Sequence, residues 1–222
     1  MKRYIIIFTL LLSLAGCDIP QTGTRPGYIY AYVYLDIPDT KITYDSKTFT
    51  ILLYNKKSIH GTYADGQDYA FGQSIRKNRY YELCEKFGDI NPDGYPCSSE
   101  DVILTPEASF EIVRRVSVVS DNDWSTDRAA GESLNDMFTI RYFSYFPYIS
   151  SRYTGAPITS FTKPLSDLKD DEMKLIMNNI ELGCATRPTA AQHHTLTISF
   201  DLDTDRTVTY EVELDFAATE VQ

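Results

Sequence analysis

Thr195-Leu196-Thr197-Ile198-Ser199-Phe200-Asp201-Leu202 and, beyond the turn residues Asp203-Thr204-Asp205, Val208-Thr209-Tyr210-Glu211-Val212-Glu213-Leu214 alternate apolar and polar residues with a period of two. In an extended chain that period sends Leu196, Ile198, Phe200 and Leu202 to one face and their hydroxyl and acidic neighbours to the other. Two such runs joined by a short polar turn predict an antiparallel hairpin with one wet face.

Working outward, residues 27–36 alternate Tyr28, Tyr30, Tyr32 and Tyr34 with Ile29, Ala31, Val33 and Leu35, which predicts a strand covered on both faces. Residues 48–54 are rich in β-branched side chains, residues 108–119 end in Val116, Val118 and Val119, and residues 137–148 carry a dense aromatic load, so each reads as a further strand. One helix is predicted over residues 166–182, where Leu168, Met173, Ile176, Met177 and Ile180 share a side and Gly183 follows as a stop. A shorter helix falls near residues 74–87. The expected fold class is therefore mainly β, a β-sandwich of antiparallel strands with one or two short helices, formed by a single domain over residues 27–222.

The N-terminus carries an address. Lys2 and Arg3 precede an apolar run, residues 4–14, too short to span a bilayer, and Leu14-Ala15-Gly16-Cys17 puts small residues before a cysteine. The pattern resembles the bacterial lipoprotein signal, the alternative being an ordinary secretory peptide. The resemblance implies cleavage after residue 16 and acyl chains on Cys17, with residues 17–26 as a lipidated tether that offers nothing to pack. Loss of Lys2 and Arg3 leaves 19 of the 21 basic residues against 31 acidic ones, a formal charge of −12. Such a surface repels phosphate backbones, so nucleic acid is excluded as a partner, while neutral glycans, cations and envelope proteins fit.

Once Cys17 is lipidated, Cys84, Cys97 and Cys184 remain, enough for one intramolecular bridge. A Cys84–Cys97 disulfide would clip a polar, proline-rich loop; three buried or free thiols are the alternative. Residues 89–100 fit the calcium-loop pattern, with Asp89, Asn91 and Asp93 at the first, third and fifth places, Gly94 at the turn, Tyr95 offering a carbonyl and Glu100 at the twelfth. Pro92, Pro96 and the absence of a following helical pattern favour an Asn-Pro-Asp-Gly surface turn instead. Asp121, Asp123, Ser125, Asp127 and Glu132 place oxygens at similar offsets but lack the turn glycine, which reads as a polar connection. The tyrosine face of the first strand either offers flat rings to sugars or packs the sheet. Trp124, the one tryptophan, lies in a polar stretch that would suit exposure, with burial under a loop the favoured reading.

Of the three histidines, His193 and His194 are adjacent and would point to opposite faces of a strand, which prevents joint chelation. No nucleophile elbow, phosphate loop or zinc-protease motif occurs, and no catalytic residue is assigned.

The segment Val116-Ser117-Val118-Val119-Ser120, then Asp123, then Ala130-Gly131-Glu132-Ser133-Leu134-Asn135-Asp136-Met137-Phe138 resembles the most distinctive block of a family of uncharacterised Bacteroidetes cell-envelope lipoproteins. The resemblance implies a lipid-anchored envelope protein, at the outer membrane, and carries no catalytic residues. Asp18-Ile19-Pro20 has a single acid after the lipid, which leaves the periplasmic and outward faces both open. The function expected is a non-enzymatic module that binds a glycan or protein partner. A carboxylate-dependent glycan hydrolase and a structural or assembly subunit of the envelope are the alternatives.

Overall fold

A computed structural model describes residues 27–45, 47–55, 69–70, 77–90, 106–190 and 192–216. The C-terminal hairpin forms as its periodicity requires: β10 (His193–Leu202) pairs antiparallel with β11 (Thr207–Asp215). β10 also pairs with β6 (Val113–Ser120), giving a three-stranded sheet in the order β11-β10-β6. Opposite it lies a five-stranded antiparallel sheet in the order β2-β3-β9-β7-β8, built from Asp39–Tyr44, Phe49–Tyr54, Ile176–Cys184, Phe138–Ser144 and Thr159–Pro164.

The inward faces of the two sheets share one hydrophobic core. Ile51, Ile140 and Leu182 from one sheet and Val118, Ile198 and Phe200 from the other belong to it, each 0% exposed, and full burial of such side chains contributes about 1.5–3 kcal/mol apiece. The molecule is thus mainly β, a β-sandwich. The outer edge of β6 is covered rather than left open. Leu134 N–H donates to Val118 O at 2.9 Å, and the Asn135 side chain accepts from Val118 N–H at 3.0 Å and donates to Val116 O at 2.8 Å. Gly131, at φ 78°, and the buried Leu134 and Phe138 set this cover in place, so the block Ala130 to Phe138 acts as a strand-edge guard.

The helix predicted over residues 166–182 is not formed. Leu165–Asp167 makes a single 3-10 turn, and Ile176–Cys184 is β9, the central strand of the larger sheet. Its apolar spacing fits both periods, since Ile176, Ile180, Leu182 and Cys184 also lie two or four apart and all point inward. Ladder pairing with β3 on one side and β7 on the other decides the outcome. Gly183 is consequently a mid-strand residue and no stop: a Cβ there would meet Thr139 Oγ1 on β7 at 3.0 Å.

The helix near residues 74–87 is present as α1 (Lys77–Phe87). Tyr80, Leu83, Cys84 and Phe87, spaced three and four apart, bury one face. Gly88, at φ 68°, ends it, with Asp89 N–H reaching back to Cys84 O at 2.7 Å. α1 builds a second core at one end of the sandwich with Ile29, Tyr32, Phe110, Tyr145 and Ile149, the last of these on the short helix α2 (Phe146–Ser150). There a small sheet in the order β4-β1-β5 joins Tyr69–Ala70, Ala31–Val33 and Glu107–Ser109, and β1 runs parallel to β5.

The strand expected over residues 27–36 is ladder-paired only at β1, because its flanking amides are taken by side chains. Tyr28 and Ile29 N–H donate to Asp89, and Leu35 N–H donates to Glu111. Gly27 sits hard against the same carboxylate: a Cβ would meet Asp89 Oδ2 at 2.5 Å and Asp89 O at 2.9 Å. Gly27→Ala is therefore expected to cost roughly 1–3 kcal/mol, lowering the thermal midpoint by several degrees in a calorimetric scan.

Candidate functional site

Asp89, the residue that opens the calcium-loop pattern, is fully buried. Its Oδ1 accepts from Tyr28 N–H at 2.6 Å and from the Tyr153 hydroxyl at 3.0 Å, and its Oδ2 accepts from Ile29 N–H at 2.9 Å and the Tyr32 hydroxyl at 2.7 Å. Four donors fill the roughly four lone-pair positions of a carboxylate, so Asp89 serves the fold as an acceptor. Asn91, Asp93, Tyr95 and Glu100 lie outside the described residues, as do Cys17, Cys97 and the whole of the predicted signal and tether, residues 1–26. Cys84 is buried on α1 with its sulfur 3.7 Å from the Tyr32 hydroxyl.

The four tyrosines of the first strand do not make a flat platform. Tyr32 is interior; Tyr28 packs on Tyr145 and Tyr148, and Tyr34 meets Phe110 edge-on at 4.7 Å. Tyr28, Tyr32 and Tyr34 are thus engaged by neighbouring rings rather than laid side by side for a sugar. Trp124, 1% exposed, packs at tilted angles among Phe49, Phe138 and His194 in the main core.

A cleft of about 370 Å³ opens at the other end of the sandwich, where β6 and β11 end and β10 begins. Ten residues of β10 separate its two ends by about 30 Å. At the far end of β10 the turn residue Asp203 bonds Ile112 N–H and Lys86 of α1, so the cleft lies at the opposite pole from α1, Asp89 and Gly27. Its polar lining comes from Tyr44, Asp121, Asn122, His193, His194, Thr195, Glu213 and Asp215. Strand alternation points His193 outward, with Nδ1 3.4 Å from the Asp215 carboxylate, and His194 inward.

Asp121 closes the β6–β10 ladder by accepting from Thr195 N–H at 2.7 Å. That bond holds its carboxyl below the usual carboxylate range, with His194 adding to the effect. Asn122 anchors the same corner by donating to His193 O at 3.0 Å. Tyr44 supplies a hydroxyl that receives Asp215 N–H at 3.4 Å.

Beneath the cleft, Ser120 Oγ and His194 Nδ1 are 2.8 Å apart. The pair resembles a nucleophile and base only in composition. Ser120 is 3% exposed and its oxygen already accepts from Asn122 N–H at 3.2 Å, so no substrate carbonyl reaches it. Farther along, Asp123 accepts from Ala130 N–H, Ser125 from Asp127 N–H and Glu132 from Ala129 N–H, which makes that acidic stretch a network of local backbone caps. Among the described residues no three His, Cys, Asp or Glu side chains are grouped to hold a metal ion.

Compared with protein-family models, curated proteins and solved structures, the chain has no match. The cleft joins Tyr44, the end of β6 and the open end of the C-terminal hairpin, segments that lie far apart in the sequence. One signal existed: with the turn at residues 203–205, hairpin register sets His193 opposite Asp215 and Thr195 opposite Glu213.

Proposed function

We propose that this chain is a lipid-anchored cell-envelope module that binds glycans without transforming them, using the cleft at the pole remote from its tether. The observation that carries the reading is bipolarity. Gly27, the first residue after the tether, is fastened at one end of the sandwich, and the polar cleft occupies the other. A protein held by acyl chains on Cys17 would present that cleft away from the bilayer.

The lining suits a hydroxyl-rich ligand, neutral or bearing an amine. Asp121, Glu213 and Asp215 are acceptors for sugar hydroxyls, Asn122 and His193 can donate, and the carboxylates disfavour phosphate or sulfate groups. Hydrolysis is the weaker reading, because a glycosidase acid needs a carboxyl whose pKa is raised, whereas Asp121 is held low by Thr195 N–H. No described helix is long and apolar enough to cross a membrane.

The test is a glycan array probed with the full chain. Retention of neutral or amino glycans is expected, with His193→Ala and Glu213→Ala each weakening it by about tenfold through loss of a hydrogen bond to ligand. Absence of any retained glycan, or shortening of an arrayed glycan during incubation, overturns the proposal.

A further inference from the structure

The pole at which the tether arrives has an unusual surface. Among the described residues the exposed large hydrophobic side chains are Ile90, 57% exposed, and Ile158, 42% exposed, and both lie at this end. Ile90 follows the Asp89 clamp directly. Ile158 precedes Thr159, which pairs with Ser144 at the strand end leading into α2. The same end carries a chain of half-buried tyrosines: Tyr28 to Tyr148 at 5.0 Å and Tyr148 to Tyr153 at 5.7 Å between ring centroids. Arg152 and Tyr153, at φ 58° and 61°, hold two successive left-handed conformations unusual for such side chains. The turn they make seats the Tyr153 hydroxyl on Asp89 and leaves Arg152 exposed.

We propose that this face, Tyr28, Ile90, Tyr148, Arg152, Tyr153 and Ile158, rests in the headgroup layer of the bilayer that holds the lipid on Cys17. The inference rests on the lipid-anchor reading and adds an orientation to it. The occupant follows from chain length: the ten steps from Cys17 to Gly27 extend at most about 36 Å, so acyl chains on Cys17 keep Gly27 and its surroundings within reach of the membrane at all times. Tyrosine suits that layer, being apolar in its ring and polar at its tip, while isoleucines reach the acyl boundary and an arginine meets phosphate oxygens.

The experiment uses the full, lipidated chain in phosphatidylcholine–phosphatidylethanolamine vesicles whose acyl chains are brominated or plain. Tyr148→Trp places an indole on the face, while Trp124, the natural tryptophan, lies buried in the main core beside His194 of the distal cleft. Bromine is expected to quench the added emission by about half, as for a ring seated at the headgroup boundary, and to leave the parent chain unquenched. Adding Ile90→Asp and Ile158→Asp should abolish the quenching while the protein still sediments with vesicles. Sedimentation without quenching of Tyr148→Trp, or quenching that survives both aspartates, overturns the membrane-contact face and leaves the anchor standing; quenching that appears only when envelope extract is added also overturns it, in favour of a protein partner. Undiminished sedimentation of Cys17→Ser after a high-salt wash instead overturns the anchor.

Discussion

Replacing Asp89 by alanine is expected to lower the unfolding free energy by roughly 3–5 kcal/mol, read as a fall in the urea midpoint of the full chain with little change in slope. Two backbone N–H groups, of Tyr28 and Ile29, and two phenols, of Tyr32 and Tyr153, lose their acceptor at once. The Tyr32 hydroxyl and Ile29 N–H are buried, so water does not replace it without opening the second core. Asp89→Asn should recover only part of the loss, because an amide offers one acceptor oxygen and turns a donor toward two others. The clamp also has an alkaline limit. Burial, and then the Asp89 carboxylate, push the Tyr32 and Tyr153 phenols well above their ordinary range. The folded state thus keeps protons that the unfolded chain releases from about pH 10 upward, so stability is full below that pH and declines as pH rises beyond it. Thermal midpoints measured from pH 8 to 11 should be flat and then fall; a flat profile throughout would refute the assignment.

The order in which sequence reasoning succeeded follows the reach of the interactions. The hairpin of β10 and β11 was legible because both alternation and turn lie within twenty-odd contiguous residues. α1 was legible for the same reason, with Tyr80, Leu83, Cys84 and Phe87 spaced along one face and Gly88 behind them. β9 was misread because Ile176, Ile180, Leu182 and Cys184 satisfy two periods, and the partners that choose between them, Phe49–Tyr54 and Phe138–Ser144, lie far away in sequence. Residues 27–36 show a subtler limit. Their alternation was right, but whether their amides find a strand or a side chain depended on Asp89 and Glu111, some sixty to eighty residues on. The candidate cleft was hidden for the same reason. Its acids and its exposed histidine are ordinary surface residues until three chain ends meet at one pole.

Arg206→Ala is the second substitution with a large expected cost, about 3–5 kcal/mol, because it strands a carboxylate. Glu111 is 0% exposed and takes four hydrogen bonds: Oε1 from the Thr204 hydroxyl at 2.8 Å and Arg206 Nε at 2.9 Å, Oε2 from Leu35 N–H at 2.9 Å and an Arg206 terminal nitrogen at 2.5 Å. The guanidinium also donates to Leu35 O at 3.0 Å and lies over the Tyr34 ring at 5.3 Å. One bidentate pair therefore fastens the chain leaving β1 to the turn of the C-terminal hairpin, where Asp203 also bonds Lys86 of α1, so that turn is one place at which the two cores are joined. Burial tells which partner matters. Arg206 keeps water on its outer side, its side chain being 41% exposed, whereas Glu111 does not, so removing the cation leaves the charge that has nowhere to go. A double-mutant cycle separates this from loss of packing. Glu111→Met with Arg206→Met removes both charges at similar volume and should be less destabilising than Arg206→Ala alone, by more than about 1 kcal/mol in urea unfolding. Additive costs across the cycle would mean that the two side chains act independently, and the Glu111–Arg206 pair would lose its place as a fastening between the sandwich and the core built by α1.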